Sequence, residues 1–261
     1  MIYITGDTHG SFKRFAKSKF GGQLTEKDTV IVCGDFGLLW SDDKEYQYWR
    51  EFFGTRDYTV LWVAGNHENY NMLYEFPVEE WNGGKVRKIV GDKCIHLERG
   101  QVFNIEGKTF FTFGGAQSHD IQGGILELDD PSYDMLRHEA MMKNLPYRVL
   151  NESWWKQELP TEEEMQEGLD NLAKVGYKVD YVITHCTSTE TQHRLEEYYA
   201  KTSLTSYLYS YDILTEYFNK IEMQLDFKHW FFGHYHDNIS VDNRHQLIYE
   251  CMLPLSFFEN K

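Results

Sequence analysis

Met1-Ile2-Tyr3-Ile4-Thr5-Gly6-Asp7-Thr8-His9-Gly10 opens the chain as an apolar, β-branched run that stops at a glycine and is followed at once by residues able to bind metal. Such a run predicts a buried strand with its chemistry just beyond the carboxyl end. The pattern recurs four times: Thr29 to Cys33 before Gly34-Asp35, Tyr58 to Ala64 before Gly65-Asn66, Tyr181 to Ile183 before Thr184-His185, and His229 to Phe232 before Gly233-His234. Between these runs, apolar spacing predicts helices over roughly 11–19, 42–54, 131–144, 161–175 and 205–222, the fourth opened by a Thr161/Glu164 capping box after Pro160. Strand and helix alternate at both ends of the chain, which points to an α/β layered domain. The middle differs: 94–98, 101–106 and 108–113 read as an antiparallel meander turning at Arg99-Gly100 and Glu106-Gly107, and 237–242 with 245–251 as a hairpin around Asp242-Asn243. The polar stretch from about 117 to 178, with Gly123-Gly124, Trp154-Trp155 and Glu162-Glu163-Glu164, reads as a cap-like insertion within a single domain spanning 1–261.

Composition narrows the classes. A chain of 261 residues with 41% hydrophobic and 16% aromatic residues can bury a core large enough to offset its ordering entropy. The formal charge of −15 disfavours an extended nucleic-acid surface, which needs basic contacts to phosphates. The cysteines at 33, 94, 186 and 251 form no Cys-x-x-Cys pair and are too few for a disulfide framework, so a reducing, cytoplasmic setting is expected. No apolar run approaches the ~20 residues of a membrane helix, and no basic-then-apolar leader pattern is present, so no membrane partner is expected.

The strand ends supply oxygen and imidazole groups: Asp7, His9, Asp35, Asn66, His185, His234 and His236. Asp7 with His9, and His234 with His236, are i,i+2 pairs, which in extended backbone project to one side. Seven candidate ligands exceed the needs of one ion and suit two ions sharing a carboxylate. Two divalent ions against two aspartates leave a local positive island in an acidic protein, attractive to a phosphate ester. The pair would also lower the pKa of a bridging water and hold both attacking and phosphoryl oxygens, so phosphoester hydrolysis is the favoured reaction.

These motifs, in this order, resemble the calcineurin-like metallophosphoesterase superfamily, whose pattern runs D-x-H, G-D, G-N-H-E/D, H and G-H-x-H. The resemblance spans positions 7 to 236 and implies a four-layer αββα sandwich with two central mixed β-sheets and a helical cap insertion. It implies that Asp7, His9, Asp35 and His236 bind one ion, that Asp35, Asn66, His185 and His234 bind the other, and that Asp35 bridges. It further implies that His67 stays off the metals and assists the leaving group as a catalytic residue with Asp35, while Glu68 supports the ligands from behind. Two divalent cations are the implied cofactors, with Mn the expected ion and Fe, Zn, Co or Ni compatible. The protein Ser/Thr phosphatases of this superfamily carry phosphate-gripping arginines where this chain has Leu38-Leu39 and Ala64, which argues against protein phosphatase activity. Gly114 to Asp120 and Ser153 to Glu158 are similar to a bacterial and phage branch, a likeness that implies a substrate pocket shaped by His119, Asp120, Arg148 and the two tryptophans.

The remaining histidines, His96, His138, His193, His229 and His245, lack motif context and read as structural or surface groups. Cys186 follows a ligand yet points the other way in extended chain, so burial is expected. Trp154-Trp155 could stack on a substrate ring, but aromatic pairs after a loop more often anchor an insertion, and Arg148 could equally form a surface ion pair. The substrate is expected to be a phosphoester, small molecule or nucleotide; monoester and diester both remain open. The alternative class is a non-catalytic metal-binding scaffold of the same fold, which predicts decayed ligands, and none of the seven has decayed.

Overall fold

The structure is a computed structural model that describes residues 1–202 and 209–259. The first half runs β1 (Ile2–Thr5), 3₁₀ turns at Phe12–Phe15 and Phe20–Gln23, β2 (Thr29–Val32), α1 (Lys44–Gly54), β3 (Thr59–Trp62), α2 (Tyr70–Leu73), β4 (Val78–Trp81), β5 (Gly84–Val90) and β6 (Cys94–Leu97). It continues with β7 (Gln101–Ile105), β8 (Lys108–Phe113), β9 (Ile125–Leu126), α3 (Tyr133–Met142), β10 (Arg148–Val149), a 3₁₀ turn at Lys156–Glu158 and α4 (Glu162–Lys174). The last part holds β11 (Tyr181–Thr184), α5 (Thr189–Thr202), α6 (Ile213–Glu222), β12 (His229–Phe232), β13 (Ile239–Ser240), β14 (His245–Leu247), β15 (Met252–Pro254) and a 3₁₀ turn at Leu255–Phe257.

Two large mixed sheets result. One has the order β15-β1-β2-β3-β6-β5-β4 and the other β13-β14-β12-β11-β8-β7. In the first, β1, β2, β3 and β6 are parallel; in the second, β14, β12, β11 and β8 are. Each parallel block is flanked by antiparallel strands. Alternation along the strands builds the layers: Ile31, Cys33, Leu61, Tyr181 and Phe231 fill the core between the sheets. Val30, Val32 and Trp62 face outward to meet Phe12, Phe15 and Phe53, while Val182 and Trp230 face outward to meet Leu172, Leu214 and Phe218. Buried on both faces, the parallel strands read as continuous apolar runs, which is why the sequence displays them so clearly.

Several expectations need correction. The helix expected over 11–19 is one 3₁₀ turn, Phe12–Phe15, because Phe12 and Phe15 both enter the core at a spacing of three; the chain then doubles back into a second 3₁₀ turn at Phe20–Gln23, where a Cβ on Gly21 would lie 1.8 Å from the Phe15 carbonyl oxygen. The helix expected over 205–222 forms only as α6, capped by Asp212, and its expected residues 205–208 lie outside the described residues. The meander does not exist as such: β6 pairs in the first sheet and β7 with β8 in the second, with Arg99-Gly100 carrying the chain between them. Gly100, at φ +70°, is positioned against the backbone of Gly168 in α4. Helix α5 escaped the periodicity because three of its five buried residues, Thr191, Gln192, Leu195, Glu196 and Tyr199, are polar or charged. The β4–β5 hairpin escaped because β4 is an exposed, acidic edge strand.

Within the 117–178 stretch, α4 begins with the expected Thr161/Glu164 capping box and packs Leu172 into the outer core of the second sheet. Trp155 is buried and packs edge-on to Trp40, with ring centroids 5.5 Å apart, in the role of an anchor. Cys33, Cys94 and Cys186 are buried and Cys251 is exposed, all unpaired. Among the described residues, no helix is long and apolar enough to cross a membrane.

Candidate active site

The carboxyl ends of β1, β2 and β3 from one sheet and of β11 and β12 from the other converge on one place. Asp7 lies beneath it, fully buried, both carboxylate oxygens 3.1 Å from the His234 backbone N–H. His9 and His236 bring their Nε2 atoms within 2.9 Å of each other, and the Asp7 carboxylate lies 3.7 and 3.3 Å from them. Asp35 receives the His67 backbone N–H at 2.7 Å on Oδ1, which also lies 3.3 Å from His185 Nε2. Asn66 Oδ1 lies 3.2 Å from the same imidazole nitrogen. The His234 ring is 5.0 Å from that of His185, measured between centroids.

Backbone conformation at these positions differs from the extended geometry the i,i+2 argument assumed. His9, Asp35, His234 and His236 all lie at positive φ, between +46° and +69°. Each pair reaches the site through a left-handed kink, a conformation that costs free energy and concentrates at functional positions. Two glycines make room. A Cβ on Gly65 would lie 2.0 Å from Asp35 Oδ1, and one on Gly233 would lie 2.1 Å from Asp7 Oδ1.

Among the described residues, three overlapping groups of donor atoms close to within 4.8 Å: Asp7, His9 and His236; Asp7, Asp35 and His185; and His9, Asp35 and His67. His234 lies outside these groups, and His67 enters one although the resemblance keeps it off the metals. The residues fit divalent cations on three counts. Asp35 Oδ2 is buried without a hydrogen-bond partner. His185 Nδ1 can only donate to the Cys33 carbonyl oxygen 2.8 Å away, so Nε2 turns its remaining valence to Asp35 and Asn66. Two buried carboxylates demand positive charge: burial pushes His185 down, yet Asp35 and Asp7 hold it up at about 9. For Asp35, burial raises the carboxyl, but His185 outweighs it and keeps the group well below its usual range.

The surrounding residues hold the ligands in place. Glu68 is buried and accepts the Phe36 and Gly37 backbone N–H groups at 2.7 and 3.2 Å, tying down the loop behind Asp35. Burial, with Asp35 nearby, pushes its carboxyl up to about 8. Arg14 donates to the Asp7 carbonyl at 2.7 Å, to Thr5 Oγ1 at 2.6 Å and to the Tyr249 carbonyl at 2.8 Å, and Tyr249 stacks on His236. Leu38, Leu39 and Ala64 are buried in the outer core, so no arginine enters from those positions.

Arg148 comes instead from the 117–178 stretch, with Nη2 3.4 Å from His67 Nε2 and Nε bound to Asp120 Oδ1 at 2.9 Å. Burial, with Arg148 and His9 alongside, pulls the His67 imidazole down although Asp35 opposes it. His119 is exposed, its ring centroid 5.6 Å from that of His234. Among the recesses that border the site are two that share no lining residue. One, of about 190 Å³, lies among His9, Gly37, Trp40, Tyr46 and His67; the other, of about 720 Å³, lies among His119, Gln122, His234, Tyr235 and His236 and their neighbours.

Sequence reading assigned no role to Arg14, Trp40, Tyr46, Ser118, Glu158 or Tyr249. Ser118 and Glu158 fall within the two stretches similar to the bacterial and phage branch, but their contact with each other spans 40 positions, and Arg14 reaches Tyr249 across 235. The other five histidines lie elsewhere: His96 is 3.5 Å from Glu98, His229 bonds the Phe258 carbonyl, His245 sits between Asp242 and Glu222, His193 is 3.5 Å from Glu196 and Glu197, and His138 is exposed on α3.

A comparison with curated proteins gives no match. The family profile described as calcineurin-like phosphoesterase matches residues 1–238, a span that takes in every strand end of the site and stops just after the His234/His236 pair. With two mixed sheets bringing those strand ends together, the chain belongs to the calcineurin-like phosphoesterase family.

Proposed function

We propose that this chain is a hydrolase that uses two divalent ions to cleave a phosphate ester by in-line displacement. The observation that carries the reading is the convergence of buried Asp7 and Asp35 with His9, His185 and His236 around an unpartnered carboxylate oxygen. Family membership supports it. Asp7, His9, Asp35 and His236 are the proposed holders of one ion and Asp35, Asn66, His185 and His234 of the other; Mn is the proposed ion, with Fe, Zn, Co or Ni compatible with the same donors. When bound, two such ions supply Lewis acidity and water activation for attack on phosphorus.

The protein's own groups do the rest. His67, at the edge of the smaller recess, assists the departing oxygen by setting an imidazole N–H against it. Arg148, held by Asp120, offers a fork of N–H donors to the phosphoryl oxygens beside His67. His119, Asp120 and Arg148 thus form the proposed substrate pocket, while Glu68 keeps the Asp35 loop in register. Two separate recesses favour a diester, whose phosphorus carries a group on either side, over a monoester. The smaller one, about 190 Å³, is below the roughly 300–1,000 Å³ of whole-ligand sites and suits one substituent of the ester beside Trp40 and Tyr46. A small nucleotide ester in a reducing, cytoplasmic setting is the proposed substrate class, consistent with four unpaired cysteines.

The test is hydrolysis of p-nitrophenyl phosphate and bis-p-nitrophenyl phosphate by apo-protein reloaded with Mn, with Asp35→Asn as control. Metal-dependent turnover of the diester, lost in the variant, is expected. No turnover of either ester by protein shown to hold two ions would leave the scaffold reading in its place.

A further inference from the structure

Glu158 is 1% exposed, at the end of the 3₁₀ turn that follows Trp155. Its carboxylate accepts the Ser118 backbone N–H on Oε1 at 2.9 Å and the Ser118 hydroxyl on Oε2 at 2.6 Å. Ser118 Oγ in turn lies 3.3 Å from Asn66 Nδ2. Proton counting then gives the whole line a direction. Burial pushes the Glu158 carboxyl up to about 7; above that pH it is ionised and only accepts, so the Ser118 hydroxyl proton is committed to it. The oxygen it leaves open must accept from Asn66, which turns the amide nitrogen toward Ser118 and Oδ1 toward His185 Nε2, 3.2 Å away.

The His185 Nδ1 proton is held by the Cys33 carbonyl, which leaves Nε2 facing Asn66 Oδ1 3.2 Å away. Reversing the amide would turn N–H groups toward the place where an oxygen ligand is needed. We propose that Glu158 is a positioning residue that sets the amide orientation of Asn66 through Ser118, so that the 117–178 insertion determines whether Asn66 can ligate a metal ion. This rests on the metal-centre reading above.

Glu158→Gln tests it by changing one atom and the direction of one proton. The Ser118 backbone N–H can only donate, so the glutamine oxygen stays opposite it and the new NH₂ faces Ser118 Oγ. The hydroxyl proton is displaced toward Asn66 and favours the reversed amide. The probe is Mn²⁺ alone, titrated calorimetrically into apo-protein above pH 7, where Glu158 is ionised, with thermal unfolding of each apo variant alongside. The expected result is two ions per wild-type chain. Glu158→Gln weakens one of the two sites about 10- to 100-fold, the range for outer partners of metal ligands, at nearly unchanged unfolding temperature. Adding Ser118→Ala to Glu158→Gln is expected to restore affinity to that of Ser118→Ala alone, since no hydroxyl remains to carry the reversed proton.

Wild-type affinity at both sites in Glu158→Gln, or losses that simply add in the double variant, would overturn the proposal. Should Glu158→Gln fail to fold, Ser118→Ala alone decides: weakening confined to one ion supports the relay, and unchanged binding overturns it. Because binding is measured directly, a chain that holds two ions without hydrolysing any ester leaves this inference intact while the hydrolase reading fails.

Discussion

His67 makes two different kinds of contact. Its backbone N–H is bound to Asp35, and its ring lies between His9, 5.1 Å away by centroids, and the Arg148 guanidinium. Deleting the ring leaves the backbone contact to Asp35 in place, so His67→Ala is expected to keep two Mn²⁺ per chain by calorimetry while kcat on the diester falls by about 10²- to 10⁴-fold, the usual worth of a positioned proton donor. An unchanged kcat would remove His67 from the chemistry. Away from the site, Glu98 is bound by Arg87 Nε at 2.6 Å and flanked by His96 at 3.5 Å. Burial pushes its carboxyl up, but His96 and Arg87 prevail and bring it down to about 2. A folded-state value below the ordinary 4.5 means that ionised Glu98 stabilises the fold above pH 4.5, and that this contribution fades as pH falls toward 2. Glu98→Gln is therefore expected to lower unfolding free energy by up to about 3 kcal/mol at pH 7, and the gap to wild type should close as urea melts are repeated toward pH 2. Individual ligands were legible in the sequence because each sits in a local motif. Glu158 and Arg14 were not, since the partners that give them meaning lie 40 and 235 positions away.

A strand end is the unit from which this site is made. Each central strand delivers its apolar residues to two cores and then turns sharply, and the turn must place a polar side chain where another strand's backbone already runs close. Gly65 shows the constraint most clearly, because a Cβ there would lie 2.0 Å from Asp35 Oδ1, 2.6 Å from the Asp35 backbone nitrogen and 2.7 Å from His185 Nε2. Neither a backbone nitrogen nor a buried imidazole can yield cheaply. Gly65→Ala is thus expected to cost roughly 1–3 kcal/mol in stability and to abolish binding of at least one ion, checked by urea melts of the apo-protein and by Mn²⁺ calorimetry. Loss of stability with both ions still bound would show that Asp35 and His185 can shift together. Strands of this kind were visible in the sequence, whereas α5 and the β4–β5 hairpin were not: one buries Gln192 and Glu196 on its inner face, and the other exposes Glu79 and Glu80 at a sheet edge.

At the scale of the molecule, the site lies across the seam between two sheets. Asp7, His9, Asp35 and Asn66 follow strands of one sheet, while His185, His234 and His236 follow strands of the other. Ions bound to both sets would cross-link the sheets and stabilise the folded state by mass action. With free Mn²⁺ at 100 times its dissociation constant, the expected gain is about 2.7 kcal/mol per independent site, an upward shift of several degrees in unfolding temperature that chelation should reverse. An unfolding temperature indifferent to chelator would mean that the two sheets close the site without help from any ion.

The sequence by itself determined the class of the fold and the identity of the metal-binding candidates. Apolar runs between two buried faces, and polar groups at fixed offsets from a strand's end, are local signals that survive without coordinates. Tertiary structure alone decided three things: that β6 and β7 part at Arg99-Gly100 to join different sheets, that the paired ligands reach the site through left-handed kinks, and that Arg148 and Glu158 serve a centre built by strands far from them in the chain. The physical reason is shared. Strand pairing, backbone strain and hydrogen-bond direction depend on which groups meet across space, and those meetings are set by the packing of two sheets rather than by the order of residues in either one.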